Sequence, residues 1–173
     1  MTEPAPRFRA ARPADAPAIA RMVNAAYRGA SGWTGEGHLL SGRRTDAAAV
    51  LEMMRAAESL LLLCCLGDAL AGCAYLHRES ATEVYFGMLA VDPALQAGGL
   101  GKALMAEVEA RARETWGATA LLISVVNKRP ELIAYYVRRG YVPTGETRPF
   151  PFADGLSAAL VDGIELAMLR KAL

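Results

Sequence analysis

Between Asp92 and Lys102 the sequence runs through a turn, Gln96-Ala97-Gly98-Gly99-Leu100-Gly101, that joins a strand-like stretch to a helix-like one. Glycines in such a turn reach backbone angles closed to other residues and let N–H groups approach a large ligand. The first N–H groups of the following helix lack internal partners and sit at its positive end. That combination suits a diphosphate, and charge-assisted bonds of roughly 1.5–3 kcal/mol each make several such amides a large share of an affinity. Two nucleotide patterns fail here. The Walker pattern needs glycine and Ser/Thr where Gln96 and Ala103 stand. The dinucleotide pattern breaks at Leu104, where glycine or alanine is required. A third pattern, Gln/Arg-x-x-Gly-x-Gly/Ala after a strand ending in Val-Asp-Pro, fits at every position.

The segment from Met88 to Met105 (MLAVDPALQAGGLGKALM) resembles the acetyl-CoA motif of the GNAT superfamily of N-acetyltransferases. A second stretch, Asn127 followed by Ala134 to Tyr141 (AYYVRRGY), is similar to that superfamily's downstream signature, in the right order. The resemblance implies acetyl-CoA as co-substrate and direct acetyl transfer to a primary amine; the absence of an acidic run, which basic peptides would need, favours a small molecule as the acceptor. It also implies roles for single residues. Leu89, Ala90 and Val91 would offer strand backbone to the pantetheine arm. Gln96, Ala97, Gly98, Gly99, Leu100, Gly101 and Lys102 would hold the pyrophosphate. Asn127 would contact the pantetheine side, with a cap or turn residue before Pro130 as the alternative, and Tyr136 would stand close to the CoA sulfur. The fold implied is one α/β domain over residues 1–173: a mixed, mostly antiparallel sheet of about seven strands, flanked by about four helices, with splayed central strands.

Acetyl transfer needs a neutral amine and a stabilised leaving thiolate. Freeing a lysine-like amine of pKa ~10.4 costs roughly 4 kcal/mol at pH 7.5, which a general base could offset. Glu83 is the candidate, because strict alternation from Thr82 to Val91 would put it on the same face as Tyr85, Gly87 and Leu89. A solvated strand-end glutamate is the plainer alternative; His77 and Glu79 are weaker rivals. A phenol of pKa ~10 is a weaker acid than a thiol of ~8.5, so Tyr136 is expected to donate a hydrogen bond rather than a whole proton.

The acceptor would be lined by the loop Gly29 to Arg44 and the loop around Phe150 and Phe152. Trp33 is either a pocket wall or a surface anchor. Glu36 could hold an ammonium, or Arg43 and Arg44 a carboxylate; as loop charges all three could also be solvated. Two other readings stand beside a small-molecule acetyltransferase: a protein acetyltransferase, and a non-catalytic acetyl-CoA sensor.

These residues need elements to position them. Ile19, Met22, Val23, Ala26 and Tyr27 form one helix stripe between Pro13 and Arg28. Asp46 can cap a second helix. Leu60–Leu66 and Ala69–His77 flank Gly67-Asp68 as a hairpin, and Thr82–Val91 adds a third strand. A helix from Gly99 ends at Gly117, Thr119–Val126 is a buried strand, and Pro130 opens a last helix that stops at Gly140. Tyr141–Thr144 and Ile164–Leu169 close the sheet around a loop from Pro149 to Gly163. That order is a mixed α/β sheet rather than a βαβ alternation.

Across 173 residues, 19 basic against 18 acidic side chains give a net charge of +1, which argues against nucleic acid or an anionic membrane as partner. The N-terminal stretch has no apolar signal-like core, and the longest apolar run, Leu60 to Leu66, is too short to span a bilayer. A cytoplasmic protein is expected, with self-association as a homodimer left open. Cys64, Cys65 and Cys73 lie in apolar stretches and read as buried free thiols. His38 and His77 are isolated, so no metal is expected.

Overall fold

The computed structural model describes residues 4–29, 35–96, 98–152 and 156–173. In chain order the elements are β1 (Arg7–Ala10), a 3-10 turn at Pro13–Asp15, α1 (Ala16–Arg28), β2 (Leu40–Gly42), α2 (Ala47–Arg55), β3 (Ser59–Leu66), β4 (Ala69–Arg78), β5 (Glu83–Val91), α3 (Leu100–Trp116), β6 (Ala120–Val126), α4 (Pro130–Val137), β7 (Val142–Pro149), β8 (Ser157–Ala159) and β9 (Glu165–Ala172). Local chemistry explains several of the boundaries. Asp46 Oδ1 accepts from the Ala49 N–H at 2.8 Å and starts α2. Gly117 ends α3 in the left-handed conformation, with φ +62°.

Seven strands form one sheet in the order β1-β3-β4-β5-β6-β9-β7. Every pairing is antiparallel except β5 with β6. That parallel contact covers only Glu83–Tyr85 against Ala120–Leu122, although β5 continues to Val91 and β6 to Val126. The central strands therefore splay, as expected. One face is covered by α1 and α2, through Ile19, Val23, Ala26 and Val50 packed on Leu61, Leu63, Cys73, Met88 and Ala90. The other is covered by α3 and Tyr136, with Leu104, Val108 and Ala112 packed on Leu62, Leu76, Val84, Phe86 and Leu121.

Strand β5 departs from simple alternation. Its register with β4 moves from Tyr75↔Gly87 to Cys73↔Ala90, so β5 carries one extra residue there. Met88 takes φ +48° at this bulge, a costly conformation for a side chain with a Cβ. The bulge exchanges the two faces of the strand. Val84 and Phe86 face the α3 layer, as do Leu89 and Val91, while Met88 and Ala90 face α1 and α2. Glu83 and Leu89 consequently lie on opposite faces, which corrects the expectation that they share one.

Two stretches expected as loops contain a second, two-stranded sheet: Leu40–Gly42 pairs with Ser157–Ala159. Neither segment has alternating apolar residues, and their pairing depends on chain neighbours more than a hundred residues apart.

At the start of α1, Arg9 grips Asp15 with two bonds of 2.8 and 2.9 Å, and the Arg12 N–H adds one of 2.7 Å. The Arg9 bonds, chiefly, pull the Asp15 carboxyl down to about 2. A depressed folded-state value adds stability that is present above the ordinary aspartate range and lost as pH falls through the folded value. Asp15→Asn should therefore cost about 1 kcal/mol at pH 7, allowing for solvent screening of the part-exposed Arg9. Urea melts of the two proteins should converge as pH falls from about 4 toward 2; a gap that persists at pH 2 would rule the ion pair out as its source.

Candidate active site

Helix α3 begins at Gly99, whose φ of +78° and ψ of 2° turn the chain into the helix without any side-chain cap. The Ala103 N–H already bonds Gly99 O at 3.0 Å. The N–H groups of Leu100, Gly101 and Lys102 have no carbonyl inside the helix to bond. They open on a cleft of about 530 Å³. Leu89, Val91, Leu95 and Gln96 form one wall, and Leu132, Tyr135, Tyr136, Arg138 and Arg139 the other. No acidic residue occupies the first turn of α3, and Lys102 adds a cation where the helix dipole alone disfavours one. Both features suit an anion at this helix start. Arg138 and Arg139, quoted in the motif but given no role by the sequence, add two more cations to the cleft, and the Arg139 guanidinium lies 3.4 Å from the centre of the Tyr135 ring.

A second, smaller cavity of about 130 Å³ opens between β5 and β6, where the sheet splays. Tyr27, Leu89, Leu132 and Tyr136 line both spaces, so cleft and cavity meet at these four side chains. The Tyr27 hydroxyl donates to Leu89 O at 2.7 Å and ties α1 to the bulged strand. Tyr136 is buried, its ring packed edge-on against Tyr135 and Tyr141 at 5.3 and 5.6 Å. Burial, followed by the neighbouring tyrosines, pushes its phenol well above the ordinary value. Tyr136 is thus a neutral hydrogen-bond donor at any physiological pH.

The far wall of the small cavity carries charge. Arg28, Glu36 and Arg44 line it, beside Tyr85, Ser124 and Phe150. The side chains of Arg28 and Glu36 are both buried, with Arg28 Nη2 3.1 Å from Glu36 Oε1. Burial raises the Glu36 carboxyl and lowers the Arg28 guanidinium, and each charge partly offsets the penalty on the other. Arg44 is half-buried and lies 5.6 Å from the Tyr27 ring centre. Tyr85 and Ser124 share a hydrogen bond of 2.7 Å.

Several expected residues stand elsewhere. Glu83 lines neither space; it is at the opposite end of β5 from Leu89 and pairs with Arg170 at 2.7 Å. Asn127 uses both ends of its amide within the fold, donating to Gly163 O at 3.0 Å and accepting from the Glu165 N–H at 3.1 Å. It fastens the end of β6 to the turn before β9, and it lies outside the cleft. Arg43 is exposed and outside the cavity. Glu36 is the reverse case, a loop charge that turns out buried. Gln96 reaches back to Val91 O at 3.3 Å. Ala90 faces the α1 layer, and Gly98 lies in the turn without lining the cleft. His77 stacks on Tyr85 at 5.1 Å, and Glu79 pairs with Arg148; neither lines the two spaces. Trp33 and Ala97 fall outside the described residues. Arg28 is the residue that sequence reasoning missed. In the sequence it marks only the end of the helix stripe between Pro13 and Arg28.

Among the described residues no cluster of three or more His, Cys, Asp or Glu is placed to hold a metal ion. No described helix is long and apolar enough to cross a membrane.

A sequence profile of the acetyltransferase (GNAT) family matches residues 23–141, more than half of the chain. No curated protein matches the sequence. Among solved structures, Ard1 from Thermoplasma volcanium superposes with a TM-score of 0.70 at 19% identity, covering 98% of each chain. The ribosomal-protein-S18-alanine N-acetyltransferase from Escherichia coli gives 0.68 at 17% identity, covering 97% of this chain and 94% of its own. The putative acetyltransferase yncA from Salmonella typhimurium, solved with its cofactor acetyl-CoA, gives 0.68 at 20% identity, covering 98% and 94%. A helix start suited to an anion, a sheet that splays beside it and a profile match across both therefore agree: the chain belongs to the GNAT acetyltransferase family and is an acetyl-CoA-dependent acyltransferase.

Proposed function

We propose that the protein transfers an acetyl group from acetyl-CoA directly to the primary amine of a small molecule, both bound at once. The observation that carries this reading is the meeting of the long cleft and the small cavity at Tyr136, between the splayed strands. Acetyl-CoA supplies an acetyl thioester, whose C–S bond breaks as the amine nitrogen forms its C–N bond. The chain's contribution is positional and electrostatic. The amides of Leu100, Gly101 and Lys102, with Arg138 and Arg139, hold the phosphates. Tyr136 donates a hydrogen bond to the sulfur as negative charge develops there, and its raised pKa favours donation over full transfer.

A covalent acetyl-enzyme has no support. Among the described residues no cysteine lines either space. Cys73, held at 3.7 Å from Met88 O, is pushed by burial up to about 12. The attacking amine must shed a proton, and Glu36 is the one carboxylate on the described wall of the small cavity. Because Arg28 engages it, the proton is assigned to water in the cavity. The small volume favours a small acceptor over a folded protein surface.

Initial rates of CoA-thiol release, with acetyl-CoA and amine both varied, should give intersecting double-reciprocal lines; parallel lines would overturn direct transfer. Glu83→Gln should leave kcat within about twofold, whereas losing a true general base costs about a hundredfold or more. A loss of that size would return Glu83 to the mechanism.

A further inference from the structure

Arg28 has a feature that the proposed reaction leaves unused. Its side chain is 6% exposed, and none of its three guanidinium nitrogens has a hydrogen-bond partner. The approach to Glu36 is an ion pair without hydrogen-bond geometry. A buried guanidinium without hydrogen bonds carries a full desolvation cost, and this one lies on the wall of the small cavity. Arg44 stands on the same wall, and no described acid pairs with it. Around the cavity two arginines therefore face one glutamate, which leaves a surplus positive charge.

We infer that Arg28, with Arg44 beside it, is an anion subsite that binds a carboxylate on the acceptor itself, so the acceptor is a free amino acid and not a polyamine or a peptidyl lysine. A planar carboxylate matches the guanidinium fork and supplies the acceptors that Arg28 lacks. Glu36 keeps Arg28 in place without saturating it. The cavity is small and has Tyr136 at one end and Arg28 on its wall, so amine and carboxylate must sit close together on one molecule. A peptide offers its amino terminus without a nearby carboxylate, and a polyamine would bring more positive charge to a wall that already has a surplus.

This inference rests on the acetyl-transfer reading, and two measurements separate them. The first compares kcat/KM for free amino acids, their decarboxylated amines and short peptide amides. Wild type should favour the amino acids by at least about thirtyfold, the loss expected when a buried charge partner is removed. Arg28→Met should erase that preference mainly through KM, with acetyl-CoA affinity unchanged in calorimetry. Arg28→Met combined with Glu36→Gln removes both buried charges and guards against misfolding. The second measurement needs no turnover: binding of N-acetyl amino acids against N-acetyl alkylamines to the CoA-loaded protein. Arg28-dependent binding of the carboxylates supports the subsite even if no amine is acetylated, in which case the transfer reading fails alone. Acetylation of decarboxylated amines as fast as amino acids, or a carboxylate preference that survives loss of Arg28, overturns the subsite and leaves the transfer reading standing.

Discussion

Replacing Gly101 by aspartate should abolish measurable acetyl-CoA binding while leaving the fold as stable as before. The two halves of that expectation have separate causes. A Cβ at Gly101 would meet only Val91 Cγ2, at 3.8 Å, which is ordinary contact. Its backbone is helical and not left-handed, so a side chain costs no strain. In the ligand-free protein a carboxylate in the first turn of α3 should even help, by about 0.3–1 kcal/mol, because it faces the positive end of the helix. For a diphosphate the same carboxylate is a like charge set among the amides that would bind it. Removing two such charge-assisted bonds, at roughly 1.5–3 kcal/mol each, weakens binding by at least about a hundredfold. Calorimetry with acetyl-CoA and a thermal melt on the same sample read the opposite signs together. Retained affinity would sink the phosphate reading of the turn. Lost affinity with a collapsed melt would show only that the fold had failed.

Tyr136→Phe is expected to lower kcat by about a hundredfold, the usual size of a lost donor at a developing charge, with little change in acetyl-CoA affinity. The ring's edge-on contacts with Tyr135 and Tyr141 survive the change. No described group bonds the Tyr136 hydroxyl, so deleting it should not destabilise the protein. The pH dependence sharpens the test. Burial holds the phenol above its ordinary value, so the protonated donor persists as pH rises and kcat should not fall between pH 7 and about 9 on its account. An unchanged kcat in the phenylalanine variant would remove Tyr136 from the mechanism. A wild-type decline in that range that vanishes in the variant would show the phenol ionising, against the burial argument.

What the sequence revealed depended on whether the information was local. The glycine turn, the Asp46 cap, the hairpin at Gly67-Asp68 and the α1 stripe are short-range signals, and each stands where expected. The glycine turn alone locates one wall of the long cleft. The errors came where distant groups decide. Alternation was counted through Met88, whose bulge is imposed by the register against β4, so Glu83 was placed on the wrong face. The local sequence leaves Asn127 open to a cofactor contact or to a cap or turn before Pro130, because its partners, Gly163 and Glu165, lie across a loop. Glu36 looked solvated because nothing in its own glycine-rich segment could bury it; Arg28, at the end of another element, allows it to be buried. The wall of the small cavity is therefore harder to read than the long cleft, since it is assembled from α1, two loops and the gap between β5 and β6.

The burial of Cys64, Cys65 and Cys73 in β3 and β4 has a practical side. Thiol reagents consume thiolate, and burial raises both Cys64 and Cys73 above the ordinary cysteine value. Free CoA carries an ordinary thiol, so a chromogenic disulfide reagent should colour with product while the folded enzyme stays silent. A slow background drift in such an assay would then count opened molecules. Saturating acetyl-CoA should suppress that drift, in proportion to how strongly it favours the folded form.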